Sequence, residues 1–207
     1  MEMIGTVAFA ASGAMVGIRK KMDIFGVCVL GFVTAVGGGM VRDVILGITP
    51  PNVFRNTDYA LVAVLTSLIV FFAVYVKKDV LSGSFKIVYD KMMLIMDTIG
   101  LAIFTVVGVN IGIQQGYLEK IFLLTFVGTI TGVGGGLMRD VMAGEKPYIF
   151  VKHIYASASV IGAIVCVYMY REFGAVASMV ISSTVILVIR YLAAHFHWNL
   201  PHIDFHM

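Results

Sequence analysis

Along the chain, apolar positions neither alternate nor recur as amphipathic stripes. They run on for stretches of about 17–25 residues, the length that carries a helix across a bilayer. Seven such runs can be drawn, at about 3–18, 24–46, 58–76, 92–113, 121–142, 154–170 and 175–194. Polar clusters punctuate them: Arg19-Lys20-Lys21 after the first, the linker KKDVLSGSFKIVYDK between the third and fourth, and the tail HFHWNLPHIDFHM after the last. The pattern predicts an all-α membrane protein with seven transmembrane helices in one integral domain over 1–207. The first run has no basic leader and no small-residue cleavage site, so it reads as a retained span rather than a removed signal peptide.

Within this pattern one stretch occurs twice. Residues 36–43 read VGGGMVRD and residues 133–140 read VGGGLMRD, 97 positions on, and Pro50 matches Pro147 at the same spacing. The spans before them align 95 positions apart: Gly5, Phe9, Gly13 and Gly17 match Gly100, Phe104, Gly108 and Gly112, and Glu2 matches Asp97. The organisation expected is repeat 1 over about 1–78, a linker over about 79–91, repeat 2 over about 92–172, and a seventh helix with a tail over about 173–207. Three spans per repeat is an odd number, so the second copy enters the membrane from the opposite side. Inverted repeats of this kind place a pathway at their interface near the bilayer midplane. The matched glycines recur every four residues and line one helix face, suiting close helix packing or a smooth pore wall.

The duplicated stretch is chemically odd for a span. Three successive glycines weaken a helix by about 1 kcal/mol each relative to alanine, and backbone groups freed in lipid must find partners inside protein or in a hydrated cavity. The second and fifth helices are therefore expected to break at Gly37-Gly38-Gly39 and Gly134-Gly135-Gly136. Arg42 with Asp43, and Arg139 with Asp140, follow each triplet; a central charge costs at least about 2.5–3.5 kcal/mol on insertion scales. Helix neighbours point about 100° apart, so a crossed arrangement is expected, Arg42 near Asp140 and Arg139 near Asp43. The alternative is that each arginine snorkels to the nearer interface. Asp97 reads as a helix-start acid or a pathway acid, and Ser12 and Asn110 as interhelical hydrogen-bonding groups.

Composition agrees: 59% of residues are hydrophobic and 13% charged, against about 25% charged in soluble domains. Cys28 and Cys166 both fall in spans and read as small buried residues. Basic residues mark one side. The loops after the first, third and fifth spans and the C-terminal end carry Arg19, Lys20, Lys21, Lys77, Lys78, Lys86, Lys91, Lys146, Lys152 and Arg190, the other side only Arg55, Lys120 and Arg171. The positive-inside rule then puts the N-terminus outside and the C-terminus in the cytoplasm. Each GG-x-x-R-D is similar to a turn of tRNA nucleotidyltransferases, but no Asp-x-Asp follows to hold their metal ions. No catalytic triad, phosphate loop or nucleic-acid footprint is present, so neither an enzyme nor a nucleic-acid binder is expected, and no cofactor or metal. The histidines of the tail, with Trp198, read as an interfacial anchor.

The seven spans, the 3+3+1 plan and the doubled GGG-x-x-R-D resemble the prokaryotic members of the TRIC family, the trimeric intracellular cation channels, a bacterial family also described as carrying a glycine transporter domain. That resemblance covers essentially the whole chain. It implies a homotrimer in the plasma membrane of a prokaryote, each subunit with its own pore for monovalent cations such as potassium, lined by Gly37, Gly38, Gly39, Arg42, Asp43, Gly134, Gly135, Gly136, Arg139 and Asp140. The Lys-Glu-Val motif of the animal members is absent, so their calcium or phosphoinositide regulation is not implied. A secondary transporter of glycine or another small zwitterion remains open, because paired charges and half-helix ends would also suit an occluded site.

Overall fold

The computed structural model describes residues 1–76, 85–151, 154–196 and 198. Among them every regular element is helical: α1 (Glu2–Arg19), α2 (Ile24–Ile45), the short α3 (Asn52–Arg55), α4 (Asp58–Val76), α5 (Phe85–Gln114), α6 (Ile121–Met142), the short α7 (Tyr148–Val151) and α8 (Ala156–His195). Five of these are long and apolar enough to cross a membrane, and their outer faces remain apolar, with Phe25, Ile69, Phe122 and Val176 among the exposed side chains. This is the surface of a protein dissolved in lipid. The core lies between helices, not under a polar coat.

Two boundaries differ from the pattern of apolar runs. Helix α5 begins at Phe85, inside the stretch expected to be linker, so Asp97 lies more than three turns into the helix and is no helix-start acid. The sixth and seventh runs join as one helix, α8, with a kink at Gly174 (φ 73°, ψ −176°), a backbone conformation open essentially to glycine alone. The kink leaves arms of 156–173 and 175–195, about 27 and 31 Å long at 1.5 Å per residue.

The two halves pack alike. Helix α1 lies against α2 and α4, α5 lies against α6 and α8, and α2 meets α6 at the centre. Glycines set these distances. A Cβ on Gly13 would stand 2.7 Å from the Leu30 carbonyl oxygen and 2.8 Å from Gly31 Cα, and one on Gly108 would stand 2.9 Å from Gly128 Cα. The glycine face of each helix is thus a packing face. Phe9 and Phe104, matched in the two halves, meet with ring centroids 5.2 Å apart. Each covers the other half's glycine: Phe9 lies over Gly100 and Phe104 over Gly5.

The expected breaks at the glycine triplets are corrected. Both α2 and α6 run as continuous helix through Gly37-Gly38-Gly39 and Gly134-Gly135-Gly136. The triplets serve interhelical approach. A Cβ on Gly38 would stand 2.3 Å from the Thr131 carbonyl oxygen, and one on Gly135 would stand 2.0 Å from that of Thr34. The two helices cross backbone to backbone at reciprocal glycines, and the intrahelical hydrogen bonds stay made. In a medium that cannot solvate a freed amide or carbonyl, keeping them is the lower-energy solution.

Both free cysteines are in helices, Cys166 buried and Cys28 half-buried. Among the described residues no cluster of metal-ligating side chains occurs. Residues 77–84 of the linker and His197, His202 and His206 of the tail lie outside the described residues.

Candidate functional site

Each Arg-Asp pair sits in the last turn of its helix, and the ends of α2 and α6 are built alike. Gly47 (φ 71°) and Gly144 (φ 67°) take the left-handed conformation, the Ile48 amide donates back to the Asp43 carbonyl, and the Glu145 amide to that of Asp140. This is the glycine-terminated helix end that satisfies its own last carbonyls. The chain then returns toward the helix. The Asn52 amide, at the start of α3, donates to Asp43 Oδ2 at 2.7 Å, and the Tyr148 amide, at the start of α7, donates to Asp140 Oδ2 at 2.9 Å. Each aspartate therefore ties down a returning segment with one oxygen and holds its neighbouring arginine with the other.

The crossed pairing expected from helix geometry is corrected. Arg42 donates from Nε (2.9 Å) and Nη2 (2.7 Å) to Asp43 Oδ1, and Arg139 from Nε (2.8 Å) to Asp140 Oδ1. Each guanidinium takes the carboxylate next to it on its own helix, and Arg139 takes a second, Asp97, from α5. The long guanidinium arm folds back along the helix instead and bridges the gap between neighbours. Nor do the arginines snorkel: Arg42 is 5% exposed and Arg139 0%.

The clusters differ in what surrounds them. Arg139 also donates from Nη1 to Asp97 Oδ1 at 2.7 Å and to the Ser12 hydroxyl, and its guanidinium stacks 5.4 Å from the Tyr148 ring. Ser12 thus makes the interhelical bond expected of it. Two carboxylates share this one buried cation, which gives each an ion-pair partner where neither could be buried alone. Arg42 has Asp43 and faces a cavity of about 290 Å³ whose polar lining includes Glu2, Asp43, Asn52, Arg55 and Tyr59. Its floor is Ala35, Val36 and Gly39 of α2 with Phe104 of α5. Glu2, the counterpart of Asp97, thus stands in an open polar cavity, whereas Asp97 is sealed inside the bundle at 0% exposure.

Three comparisons bear on this geometry. A family model described as Glycine transporter matches residues 1–75 and 94–171. The inner membrane protein YadS of Escherichia coli is 38% identical, with 97% of this chain and 93% of that protein aligned, and the membrane protein YvgT of Bacillus subtilis is 31% identical over 100% and 96%. A solved structure described as the structural basis for conductance through TRIC cation channels matches with a TM-score of 0.84 and 34% identity, over 100% of this chain and 97% of its own. The chain belongs to the prokaryotic TRIC family. The TRIC channel orthologue from Rhodobacter sphaeroides, at 30% identity and TM-score 0.83 over 95% and 96%, has the same fold.

Set on this TRIC fold, the singled-out residues divide into three tasks. Gly38 and Gly135 make the crossing. Gly37 lies under the Met138 sulfur, and a Cβ on Gly134 would stand 3.1 Å from Gly38 Cα. A Cβ on Gly39 would stand 3.6 Å from Arg42 Nη2, and one on Gly136 would stand 3.7 Å from Arg139 Nη2 and, more tightly, 3.2 Å from the Tyr155 hydroxyl. Tyr59, Tyr148, Tyr155 and Asn52 were not singled out in the sequence, although Tyr59 and Tyr155 stand 96 positions apart, a spacing close to that of the repeat. Arg190, counted above among the basic residues of one membrane side, is instead buried on α8, its guanidinium 4.9 Å from the Tyr155 ring.

At the end of the bundle where α1 stops, Lys20 Nζ pairs with Glu145 Oε1 at 3.1 Å, and Arg19 donates to Glu145 Oε2. Burial pushes the Glu145 carboxyl up, but the Lys20 hydrogen bond and the Arg19 and Lys20 charges outweigh it and hold the group below its ordinary value of 4.5. A carboxyl lowered by folding stabilises the fold above its unfolded value and loses that contribution as pH falls through the folded value. This tie is therefore intact at neutral pH and released only in acid, below 4.5. Glu145→Gln is expected to cost less than about 1 kcal/mol, as a partly exposed pair does. Its thermal midpoint should change less than the parent's across the acid range, which melting in detergent at stepped pH will check.

Proposed function

We propose that this chain forms a monovalent cation channel of the TRIC type, with potassium as a cargo, a homotrimer, and one conducting path per subunit. One observation carries the reading: likeness over the full chain, at 34% identity and TM-score 0.84, to a protein described as a TRIC cation channel. In this reading α8 crosses twice about its Gly174 kink, so the chain spans the membrane seven times as an inverted 3+3 repeat plus one helix. The N-terminus is outside, the C-terminus is cytoplasmic, and the membrane is the prokaryotic plasma membrane. The path runs along Gly37–Gly39 and Gly134–Gly136, past Arg42 and Asp43 near the outer end and Arg139 and Asp140 near the inner end.

The charges support cations over anions. A bare arginine in a narrow path repels cations and attracts anions. Here Arg42 is held by Asp43 with Glu2 in the same cavity, and Arg139 by Asp97 and Asp140. Neither guanidinium presents an uncompensated charge.

Purified protein in planar bilayers under a potassium chloride gradient is expected to give unitary currents that reverse near the potassium potential. Asp43→Asn, which frees Arg42, is expected to move that reversal toward the chloride potential. Silent bilayers, with glycine uptake in matched proteoliposomes, would overturn the channel reading.

A further inference from the structure

The two halves use the same acid differently. Glu2 and Asp97 are matched in the repeat, as are Arg42 and Arg139. A tyrosine hydroxyl hydrogen-bonds each acid, Tyr155 for Asp97 and Tyr59 for Glu2. Asp97 also accepts from Arg139 Nη1 at 2.7 Å, so its charge is taken up by that cation inside the bundle. Arg42 pairs with Asp43 instead, and among the described residues Glu2 makes no ion pair. The acid and its tyrosine are thus kept in both halves, and the pairing of that acid with the arginine in only one.

Glu2 lines the outer cavity together with three other charged residues, Arg42, Asp43 and Arg55. Asp43 is already engaged. Its Oδ1 accepts from Arg42, its Oδ2 accepts from the Asn52 amide, and the residue is 1% exposed. Arg55 donates to the Thr49 carbonyl oxygen at 2.7 Å, a neutral group that does not offset its charge. Two guanidinium groups and two carboxylates leave the lining neutral, and Glu2 is the carboxylate that balances Arg55. Without it the lining would carry one net positive charge, and a positive lining favours anions.

Glu2 can also reach what enters. It is half-buried rather than sealed. Tyr59 gives its hydroxyl proton to Glu2, so the phenol oxygen and the carboxylate keep lone pairs with which to accept. Such oxygens replace part of a cation's hydration shell. Glu2 lies in the first turn of α1, where a carboxylate also suits the helix dipole, but that role bears on stability and leaves ion selectivity untouched.

We propose that Glu2, positioned by Tyr59, is the selectivity-determining carboxylate of the outer cavity: it meets the entering monovalent cation and keeps the two arginines from turning the cavity toward anions. The role rests on the channel reading above.

Recording from full-length protein in planar bilayers, under a potassium chloride gradient at two ionic strengths, tests it. Charges act over about 10 Å at 0.1 M salt and about 3 Å at 1 M. Glu2→Gln keeps the shape and an acceptor for Tyr59 and removes only the charge. It is expected to lower unitary potassium conductance several-fold at the lower salt, to move the reversal toward the chloride potential, and to approach the parent's conductance at the higher salt. Glu2→Asp restores the charge and is expected to restore the reversal. Tyr59→Phe leaves the carboxylate unheld and is expected to shift the reversal part of the way, with the same salt dependence. Asp58→Asn removes an exposed carboxylate at the same end that does not line the cavity, and its effect is expected to be the smallest.

Parent conductance and reversal in a folded Glu2→Gln protein overturn the role. So does a loss of equal size at both salts, which marks an obstruction rather than a missing charge, and so does an equal effect of Asp58→Asn. A silent wild type overturns the channel reading and this role with it, whereas a conducting wild type indifferent to Glu2→Gln overturns the role alone.

Discussion

Arg139→Ala is expected to be the most damaging single charge removal in the molecule, costing about 3–5 kcal/mol, the range for breaking a buried pair by deleting one partner. The loss has two parts. Asp97 and Asp140, both buried, face each other's charge without the cation that now separates them. The Ser12 hydroxyl on α1 also loses the guanidinium that joins it to α6. Arg139→Lys keeps a charge but has one nitrogen in place of a planar fork, so it cannot reach Asp97, Asp140 and Ser12 together, and only part of the stability should return. Arg42→Ala is the control. Asp43 keeps its hydrogen bond from Asn52 and faces the cavity, so the loss is nearer to that of one charged hydrogen bond, about 1.5–3 kcal/mol. Thermal unfolding in a single detergent ranks the three variants. Equal losses at Arg139 and Arg42 would contradict the difference in burial.

The second large effect is expected at the helix crossing. In Gly38→Ala or Gly135→Ala the added Cβ meets a carbonyl oxygen of the facing helix at 2.3 or 2.0 Å. That oxygen is main chain, fixed in its own helical hydrogen bond, so no side chain can swing aside. The helices must separate, and α2 and α6 lose contact along the centre of the bundle. The expected cost is about 3 kcal/mol or more, the upper end for overpacking, and the double variant is expected not to fold. Gly39→Ala makes the comparison sharp. Its Cβ would have beside it the Arg42 guanidinium, no nearer than 3.6 Å, and alanine is the better helix former by about 1 kcal/mol. Its stability is expected to stay within about 1 kcal/mol of the parent. Yield of monodisperse protein and its melting midpoint read out all four variants, and similar behaviour of Gly38→Ala and Gly39→Ala would show that the crossing tolerates a methyl group.

Those two cases show where the sequence was legible. Long apolar runs placed the helices because lipid leaves the backbone no alternative to hydrogen-bonding itself, but not every boundary, since α5 starts earlier and the last two runs join as α8. The glycines every four residues on α1 and α5 suit packing or a smooth pore wall from spacing alone, and in the bundle they are packing surfaces. The triplets were misread. From propensity alone three glycines argue for a break, yet propensity is a small term beside the unmet hydrogen bonds that a break in lipid would leave. The gain from backbone contact between α2 and α6 is visible only when both helices are in place.

The charged residues divide the same way. That Arg42, Asp43, Arg139 and Asp140 are buried in the protein and held by partners followed from their cost in a membrane. Their partners did not follow. A crossed arrangement satisfied the symmetry of the letters, but pairing depends on which side chains the packed helices bring within reach, and that is a property of the assembled bundle. Asp97 was noticed without its partner, and Tyr155 and Arg190 were passed over because an aromatic or a basic residue near a span end is ordinarily an interfacial one.

By itself, then, the sequence determined that this is an all-helical membrane protein with a duplicated Gly-Gly-Gly-x-x-Arg-Asp stretch, because hydropathy and repetition are properties of the chain read one residue at a time. Only the tertiary structure decided that the triplets stay helical, that each arginine pairs with the aspartate beside it, and that one cluster opens to a cavity while its counterpart is sealed. Those outcomes turn on distances between helices far apart in sequence, and contact energies of a few kcal/mol there override the local preferences that the sequence displays.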